Sequence, residues 1–336
     1  MLDGETKNNN YELHLLSSNI QSDNIRFNIP DYHETFRYKP LAKKLINRQQ
    51  NTSTYSTYAQ IDRMSVKTNF TSFDVRVGRQ AITWGAGRFW QPTDVFGAFN
   101  ANELIRDYKP GIDAINLGYY PDDFSSINLV YTFSEYEKTN IGLRYTRPAG
   151  EKLYLSVIFT QVLKNKMIGG SLETDWHDAG LWLEAVISNA DNKNQILTVA
   201  GIDYRLSNEW LITAEVYYNT LGARQVSDFT QVISNKLSQA GLLKQMSRQL
   251  IGVSFQKNIT PLININYLWI NAILFHENIQ NSSLHQLAMT YSISNESELW
   301  FTLLSTTGKN VDEYGIPQSE FGHIPYAASF LVRIYF

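Results

Sequence analysis

The sequence lacks cysteine, long apolar runs and a strong excess of either charge, and each absence excludes a class of protein. Without cysteine there is neither a disulfide framework nor a thiolate metal site. No stretch approaches the roughly 20 apolar residues of a membrane helix, and the mean hydropathy is −0.28, which excludes a helical membrane protein. The net charge of −3 is not that of a nucleic-acid binder, which usually shows a basic excess. No nucleic-acid partner is expected.

What the chain does contain is alternation of apolar and polar residues, seen most clearly in its last ten residues. Side chains alternate across a strand, so this segment is a strand with one apolar and one mixed face. The apolar face carries Phe330, Val332, Ile334 and Phe336, and the mixed face carries Ser329, Leu331, Arg333 and Tyr335. A final strand that ends on phenylalanine resembles the C-terminal signature of bacterial outer-membrane β-barrels. The resemblance implies that Phe336 is a signal read by the barrel-insertion machinery.

Short alternating segments recur about every dozen residues from Tyr55 onward. In one of them, Leu181, Leu183, Ala185 and Ile187 oppose Trp182 and Glu184. Strands of a transmembrane barrel are only half apolar, which is compatible with the low mean hydropathy. The opening residues, MLDGETKNNN, lack an apolar signal segment, so we expect a mature or recombinant start with the export signal removed.

The connections between these segments alternate in length. Tight turns are expected at 177–178, 207–208 and 294–296, whereas 84–111, 220–249 and 305–326 are long. Short turns at one end and long loops at the other are typical of outer-membrane barrels. The sequence therefore predicts an all-β fold: a single domain over 1–336 that forms a transmembrane antiparallel up-and-down β-barrel of about 16 strands, with a range of about 14–18.

One stretch carries a more specific resemblance. Residues 75–99 read VRVGRQAITWGAGRFWQPTDVFGAF, and 107–117 read DYKPGIDAINL. They resemble the signature of an uncharacterised porin-like family of proteobacterial outer-membrane proteins, in which a strand ending G-R-Q precedes W-G-x-G-x-F-x-x-P-T-D. The matching residues are Gly78, Arg79, Gln80, Trp84, Gly85, Gly87, Phe89, Pro92, Thr93 and Asp94. The G-R-Q strand end is also similar to that of anion-selective and polysaccharide-export barrels. The resemblance implies the bacterial outer membrane and no particular substrate.

The long connection at 84–111 is too apolar for a surface loop, because it contains Trp84, Phe89, Trp90 and Phe96. We predict that it folds inward as a constriction loop, called the inner loop below. Its candidate site residues are Arg79, Trp84, Arg88, Trp90 and Asp94. Arg79 shares its phase with lipid-facing residues, so we expect a bulge at Gly78 or a position above the apolar band. Arg79 would then pair with Asp94 or another loop carboxylate as a latch, with direct solute contact as the alternative.

A second outer loop, 227–247, is predicted to hold a short helix, since apolar residues recur at helical spacing between Asp228 and Met246. Ser227 is its expected N-cap. The helix either packs on its own loop or forms a lid over the pore. A basic cluster, Arg37 to Arg48, is read as a solvated loop, with contact to anionic lipid or lipopolysaccharide phosphates as the alternative.

The polar phase of the strands should line the pore. Its charged members are Arg76, Arg144, Glu173, Asp175, Glu184, Asp203, Glu215 and Arg333. Basic and acidic walls would create a transverse field that favours small polar solutes. Alternatively, the charges pair with one another and fill space. Because acidic and basic residues nearly balance, strong selectivity for anions or for cations is not expected.

The sequence gives no indication of an enzyme. Six histidines are present, and none has a serine nucleophile arrangement nearby in sequence. Metal-ligand spacings, phosphate loops and coenzyme fingerprints are absent, so no metal and no cofactor are predicted.

The predicted function is that of a porin-like channel for passive or facilitated diffusion of small polar solutes across the outer membrane. The alternative is a barrel plugged by its loops that acts as a structural or adhesive protein, or as the outer component of an export system. Expected partners are outer-membrane lipid and lipopolysaccharide, the insertion machinery and the solutes. Larger porins often associate, so further copies of this chain, in a homo-oligomer, are also counted among the expected partners.

Overall fold

In the computed structural model, described residues are 2–21, 46–49, 55–97, 109, 111–133, 139–190, 193–239, 241–273, 282–324 and 326–334. They form one large antiparallel sheet with two short helices. The strands are β1 (Leu2–Glu5), β2 (Asn9–Gln21), β3 (Ile46–Gln49), β4 (Tyr55–Asn69), β5 (Phe73–Gln80), β6 (Ile112–Tyr119), β7 (Ser126–Phe133), β8 (Thr139–Pro148), β9 (Leu153–Val162), β10 (Asn165–Trp176), β11 (Ala179–Ala190), β12 (Lys193–Arg205), β13 (Leu211–Asn219), β14 (Gln249–Thr260), β15 (Ile263–Ala272), β16 (Ser282–Ser294), β17 (Ser297–Thr307) and β18 (Ala327–Ile334).

The strands follow one another as a meander. β1 pairs with β2, β2 with β4, and every later strand with the next one up to β18. The short β3 pairs with the first residues of β4. Seventeen of the eighteen described strands therefore form the up-and-down path.

The long loops lie at one end of the sheet and most tight turns at the other, although a two-residue turn at Leu163 and Lys164 lies at the loop end. The predicted turn at His177 and Asp178 is confirmed, and His177 adopts a left-handed φ of 51° that a two-residue hairpin requires. Three strands, β1, β2 and β3, precede the alternating segments that the sequence shows from Tyr55 onward.

Side chains alternate between two faces, and the outer face is apolar. On β11, Trp182, Glu184 and Val186 are buried, whereas Leu183 and Ile187 are 47% and 48% exposed. On β18, Phe330, Val332 and Ile334 are all exposed, as the alternation predicts. Similar exposed apolar residues lie on successive strands, for example Val77, Ile115, Leu143, Phe159, Ile168, Val216, Leu287 and Leu303. So large an apolar surface would be unfavourable in water and suits the hydrocarbon of a membrane. Phe336 lies outside the described residues.

Long loops fill much of the interior at the loop end. One apolar cluster joins Phe89 and Trp90 to inward residues of β12 to β17 and to Phe321. Another joins Trp84 and Phe96 to inward residues of β6 to β11. Because the same short loop contacts inner faces so far apart in the sheet order, the sheet must curve around it.

The second outer loop contains two helices where the sequence predicted one. A 3-10 turn (Val226–Asp228) leads into α1 (Phe229–Ser234), and α2 (Lys236–Gln239) follows. Asp228, not Ser227, precedes α1 as its N-cap residue. Asn235 is extended, with ψ of 140°, and its side chain accepts a hydrogen bond from the Leu237 N–H at 2.8 Å. The helix breaks there because asparagine caps the next helix instead of continuing the first. Among the described residues, none of the helices is long and apolar enough to cross a membrane.

Candidate functional site

The candidate site is the described part of the inner loop, 84–97, together with the strands beneath it. After β5 the chain leaves the sheet and lies across the inner face, with Trp84, Phe89, Trp90 and Phe96 buried. Trp84 packs edge-on against Phe96, with ring centroids 5.1 Å apart.

Glycines on the strands make room for these rings. A Cβ atom at Gly142 of β8 would meet Trp84 and Phe96, and one at Gly252 of β14 would meet Phe89. These close approaches explain why glycine occupies both strand positions.

Glu184 of β11 binds one half of the loop. Its Oε1 accepts hydrogen bonds from the backbone N–H groups of Ala86 and Gly87, both at 2.5 Å. Its Oε2 accepts the N–H of Thr93 at 3.0 Å and the hydroxyl of Thr93 at 2.6 Å. The side chain is fully buried, so these donors replace the water that a carboxylate otherwise needs.

Glu215 of β13 binds the adjoining residues in the same way. It accepts the N–H of Arg88, the N–H of Phe89 at 2.8 Å and the N–H of Trp90 at 3.1 Å. The indole N–H of Trp182 donates to it at 2.7 Å. Glu215 is 1% exposed.

Five consecutive backbone N–H groups, from Ala86 to Trp90, therefore point at two carboxylates. A loop has no ladder to satisfy its buried amides, and here two strand side chains supply the acceptors. Gly87 is required at the turn, because a Cβ there would collide with the carbonyl oxygen of Trp90. The two glutamates thus fix the path of the inner loop inside the sheet.

Arg88 carries an exposed charge in the described part of the loop. Its guanidinium stacks on Trp182 at 4.7 Å and lies 3.8 Å from Asp203, and it donates to the Ala86 carbonyl at 2.9 Å. About half of the side chain, 48%, stays accessible. Arg88 and Asp203 therefore present a charge pair to the interior.

The predicted pairing of Arg79 with Asp94 is wrong. Arg79 instead makes a bidentate pair with Asp113 of β6, at 3.0 and 2.7 Å, and donates to the Ile61 carbonyl. Asp94 pairs with Lys109, and both are buried. No bulge forms at Gly78, because the pairing of β4 and β5 keeps its register there. Gly78 instead has a positive φ of 118°, which changes the direction of the chain before Arg79.

The predicted pore-lining residues fall into two groups. Arg76, Arg144, Glu173, Asp175, Asp203 and Arg333 lie on the inner face with part of their surface accessible. Arg76 pairs with Glu12 at 3.6 Å, and Arg333 pairs with Glu298 at 3.8 Å. Arg144 donates to Ser156 at 3.1 Å. Glu184 and Glu215 differ from the prediction because they are covered by the inner loop and reach no open surface.

Sequence reasoning missed two clusters. Glu12 of β2 binds Arg63 at 3.0 Å and also lies 3.6 Å from His14 and from Arg76. Asp3, Glu12 and His14 could supply three metal ligands within 4.8 Å of one another, but the arginines already neutralise Glu12. Short alternating strands gave no sign of this network, since it depends on which strands become neighbours.

The other missed group is Glu320, which lies in the loop between β17 and β18. It is 4% exposed and accepts the backbone N–H groups of Met246 at 3.1 Å and Ser247 at 2.6 Å. Burial raises the pKa of Glu320, although these hydrogen bonds oppose the rise. We call this contact between two outer loops the outer latch.

Comparison with solved structures identifies the fold. The chain is similar to Acinetobacter baumannii OccAB1, with a TM-score of 0.55, 9% identity and coverage of 97% of this chain and 85% of that chain. It is also similar to the outer membrane protein OprD from Pseudomonas aeruginosa, with a TM-score of 0.53, 10% identity and coverage of 84% and 79%.

A third similar structure is Wzi, an outer membrane protein involved in group 1 capsule assembly in Escherichia coli and described as a carbohydrate-binding β-barrel. Its TM-score is 0.57, with 14% identity and coverage of 85% of this chain and 72% of that chain. No family model and no curated protein sequence matches the chain. The shared fold confirms the predicted fold class, an antiparallel up-and-down β-barrel of the outer-membrane type, and seventeen strands fall within the predicted range.

Proposed function

We propose that this chain is an outer-membrane channel for small polar solutes and that its inner loop sets the narrowest part of the passage. The observation that carries the proposal is the loop held by Glu184 and Glu215 across the inside of a porin-type barrel. A constriction must keep its shape while solutes pass, and a loop bound through its backbone does so.

The distribution of polarity supports the same function. Inward residues near the tight turns are polar and partly accessible, for example Asn128, Asp203 and Asn264, whereas the outer face is apolar. This arrangement suits a protein with lipid outside and water inside. We therefore place the chain in the bacterial outer membrane, in contact with lipid and lipopolysaccharide.

Membership of the porin-like family with the G-R-Q and W-G-x-G-x-F-x-x-P-T-D signature is part of the proposal. Two of its motif residues have a physical role here: Gly87 allows the turn, and Thr93 donates twice to Glu184. Reading of Phe336 by the insertion machinery and association into homo-oligomers remain proposals of the same kind. We expect no catalytic activity, and the porin-type neighbours are consistent with a protein that is not an enzyme.

A second candidate function is a barrel closed by its loops that acts as a structural or adhesive protein or as the outer part of an export system. The specific observation in its favour is that three loops pack into apolar clusters at the loop end of the interior. Wzi, with its part in capsule assembly, is the neighbour that makes this candidate concrete.

Conductance in a planar lipid bilayer distinguishes the solute channel from the barrel closed by its loops. The purified protein should be compared with a variant that lacks Gly85 to Gly97 and also carries E184Q and E215Q, because the deletion removes the backbone donors that these two carboxylates bind. Folding of both is checked by circular dichroism and resistance to detergent denaturation. The channel proposal expects discrete openings that are larger in the variant. Two folded but silent proteins would contradict it and favour the closed barrel.

A further inference from the structure

One wall of the interior carries no charge. The inward positions of β14, β15 and β16 hold serine, threonine, asparagine, glutamine and apolar residues but neither acid nor base. Near the tight turns this wall is built from side-chain amides. Its members, called the carboxamide wall, are Gln256, Asn258, Asn264 and Asn266.

The strand register brings these amides together. Gln256 lies opposite Asn266, and Asn258 lies opposite Asn264, on neighbouring antiparallel strands. Asn264 donates to Asn258 at 2.7 Å, and Gln256 donates to Asn264 at 3.4 Å. Asn258 is exposed, and the other three members are partly accessible. The wall therefore presents amide donors and acceptors that a solute can reach.

The charged residues elsewhere on the inner face are less available to bind a solute. Lys67 lies 3.4 Å from Asp74, and Arg88 lies 3.8 Å from Asp203. With the Arg76–Glu12 and Arg333–Glu298 pairs, most inward charges face a partner of opposite sign. An ionic solute would have to compete with these existing pairs, whereas a neutral one would not.

Trp300 lies on the same inner face, two strands away from Asn264. Thr290 of β16 lies between them and opposite both residues. Trp300 donates its indole N–H to Glu298 at 3.1 Å, while Arg333 stacks on its ring at 4.7 Å. These contacts fix a broad apolar ring on the inner face.

We propose that the carboxamide wall is a binding track for neutral polyhydroxylated solutes, such as mono- and disaccharides. Side-chain amides both donate and accept hydrogen bonds, as hydroxyl groups do, so each can replace the water on such a solute without desolvating a charge. The inference rests on the proposed channel function and specifies its solute class.

The first test is the rate of liposome swelling with three solutes of similar size: glucose, gluconate and glucosamine. Wild-type protein is expected to pass glucose fastest. The N264L and N266L variants, which keep the branching of the side chain but replace the amide with methyl groups, should slow glucose several-fold and gluconate little. N189L, the same substitution at an exposed position on the outer face of β11, should leave the order unchanged. Fastest passage of a charged solute, or an unchanged glucose rate in both leucine variants, would overturn the inference.

A titration of the detergent-solubilised protein with maltose keeps this inference separate from the channel proposal. If no solute passes, the channel proposal fails, and calorimetric binding of maltose then decides about the wall. Binding that weakens at least several-fold in N264L and N266L supports it. No binding, or binding that the leucine variants leave unchanged, overturns it.

Discussion

Buried glutamates hold two loop regions of this molecule, and the two regions are held to different degrees. In the inner loop, Glu184 and Glu215 together accept six backbone N–H groups, and four aromatic rings pack on the strands. In the outer latch, Glu320 accepts two backbone N–H groups. The inner loop is therefore bound through its backbone along most of its described length, whereas in the outer latch one carboxylate binds two backbone N–H groups.

The largest effect is expected from E215A. The substitution leaves the N–H groups of Arg88, Phe89 and Trp90 and the Trp182 indole without an acceptor, which should cost on the order of 3–5 kcal/mol in free energy of unfolding. Urea unfolding in detergent measures the loss, and trypsin cleavage after Arg88 reports release of the loop. D175N is the matched control. Unchanged protease resistance of E215A would show that the glutamate does not hold the loop.

A somewhat smaller effect is expected from G87A. The added methyl group collides with the Trp90 carbonyl oxygen, so the turn must shift at a cost of about 1–3 kcal/mol. Near-ultraviolet circular dichroism of the loop tryptophans detects the shift. G4A is the control, since a Cβ there meets only Tyr11 at 4.0 Å. Identical spectra for G87A and wild type would mean that the loop tolerates another path.

E320A should act locally. Loss of the outer latch frees the N–H groups of Met246 and Ser247, and hydrogen exchange of these amides should accelerate at least tenfold. Exchange at Ala86 to Trp90 should stay as in wild type, because the inner loop has its own anchors. Acceleration of exchange in both regions would show that the two loops are coupled and that the inner loop is not held independently of Glu320.

The smallest effect is expected on acidification. Burial lowers the pKa of His323 in the outer loop, so the docked loop prefers the neutral ring. Docking is stable above the usual histidine pKa of about 6.5 and weakens as pH falls below it, because the undocked state takes up the proton first. The protection factors of the Phe321 and Ile324 amides, which correct for slower intrinsic exchange at lower pH, should therefore fall between about pH 7 and pH 5. An H323N variant that shows the same fall would assign it to another group.

Much of the fold could be predicted from alternation alone. The apolar phase of β11 and β18 was identified correctly, since an inward Glu184 and an outward Leu183 follow directly from a period of two. Loop lengths placed the tight turn at His177. β1 was missed because four residues are too few to show an alternation of apolar and polar side chains. The single predicted helix is interrupted at Asn235, whose side chain caps the helix that follows.

The site was less accessible to sequence reasoning. The aromatic content of 84–97 indicated a loop that leaves water, and its four rings are buried. Glu184 and Glu215 have the phase of pore-lining residues, and nothing in their own strands shows that a loop from another part of the chain covers them. Likewise, the sequence allowed an ion pair between Arg79 and Asp94, but the register of β5 and β6 places Asp113 directly opposite Arg79.

Whether the inner loop sets the width of the passage is tested by the single-channel conductance of the E184A/E215A double variant, measured beside tryptic cleavage at Arg88. We expect a folded barrel with a cleavable inner loop and a conductance that is larger and noisier than that of wild type. A variant whose loop is released, yet whose conductance equals that of wild type, would show that the inner loop does not set the width of the passage.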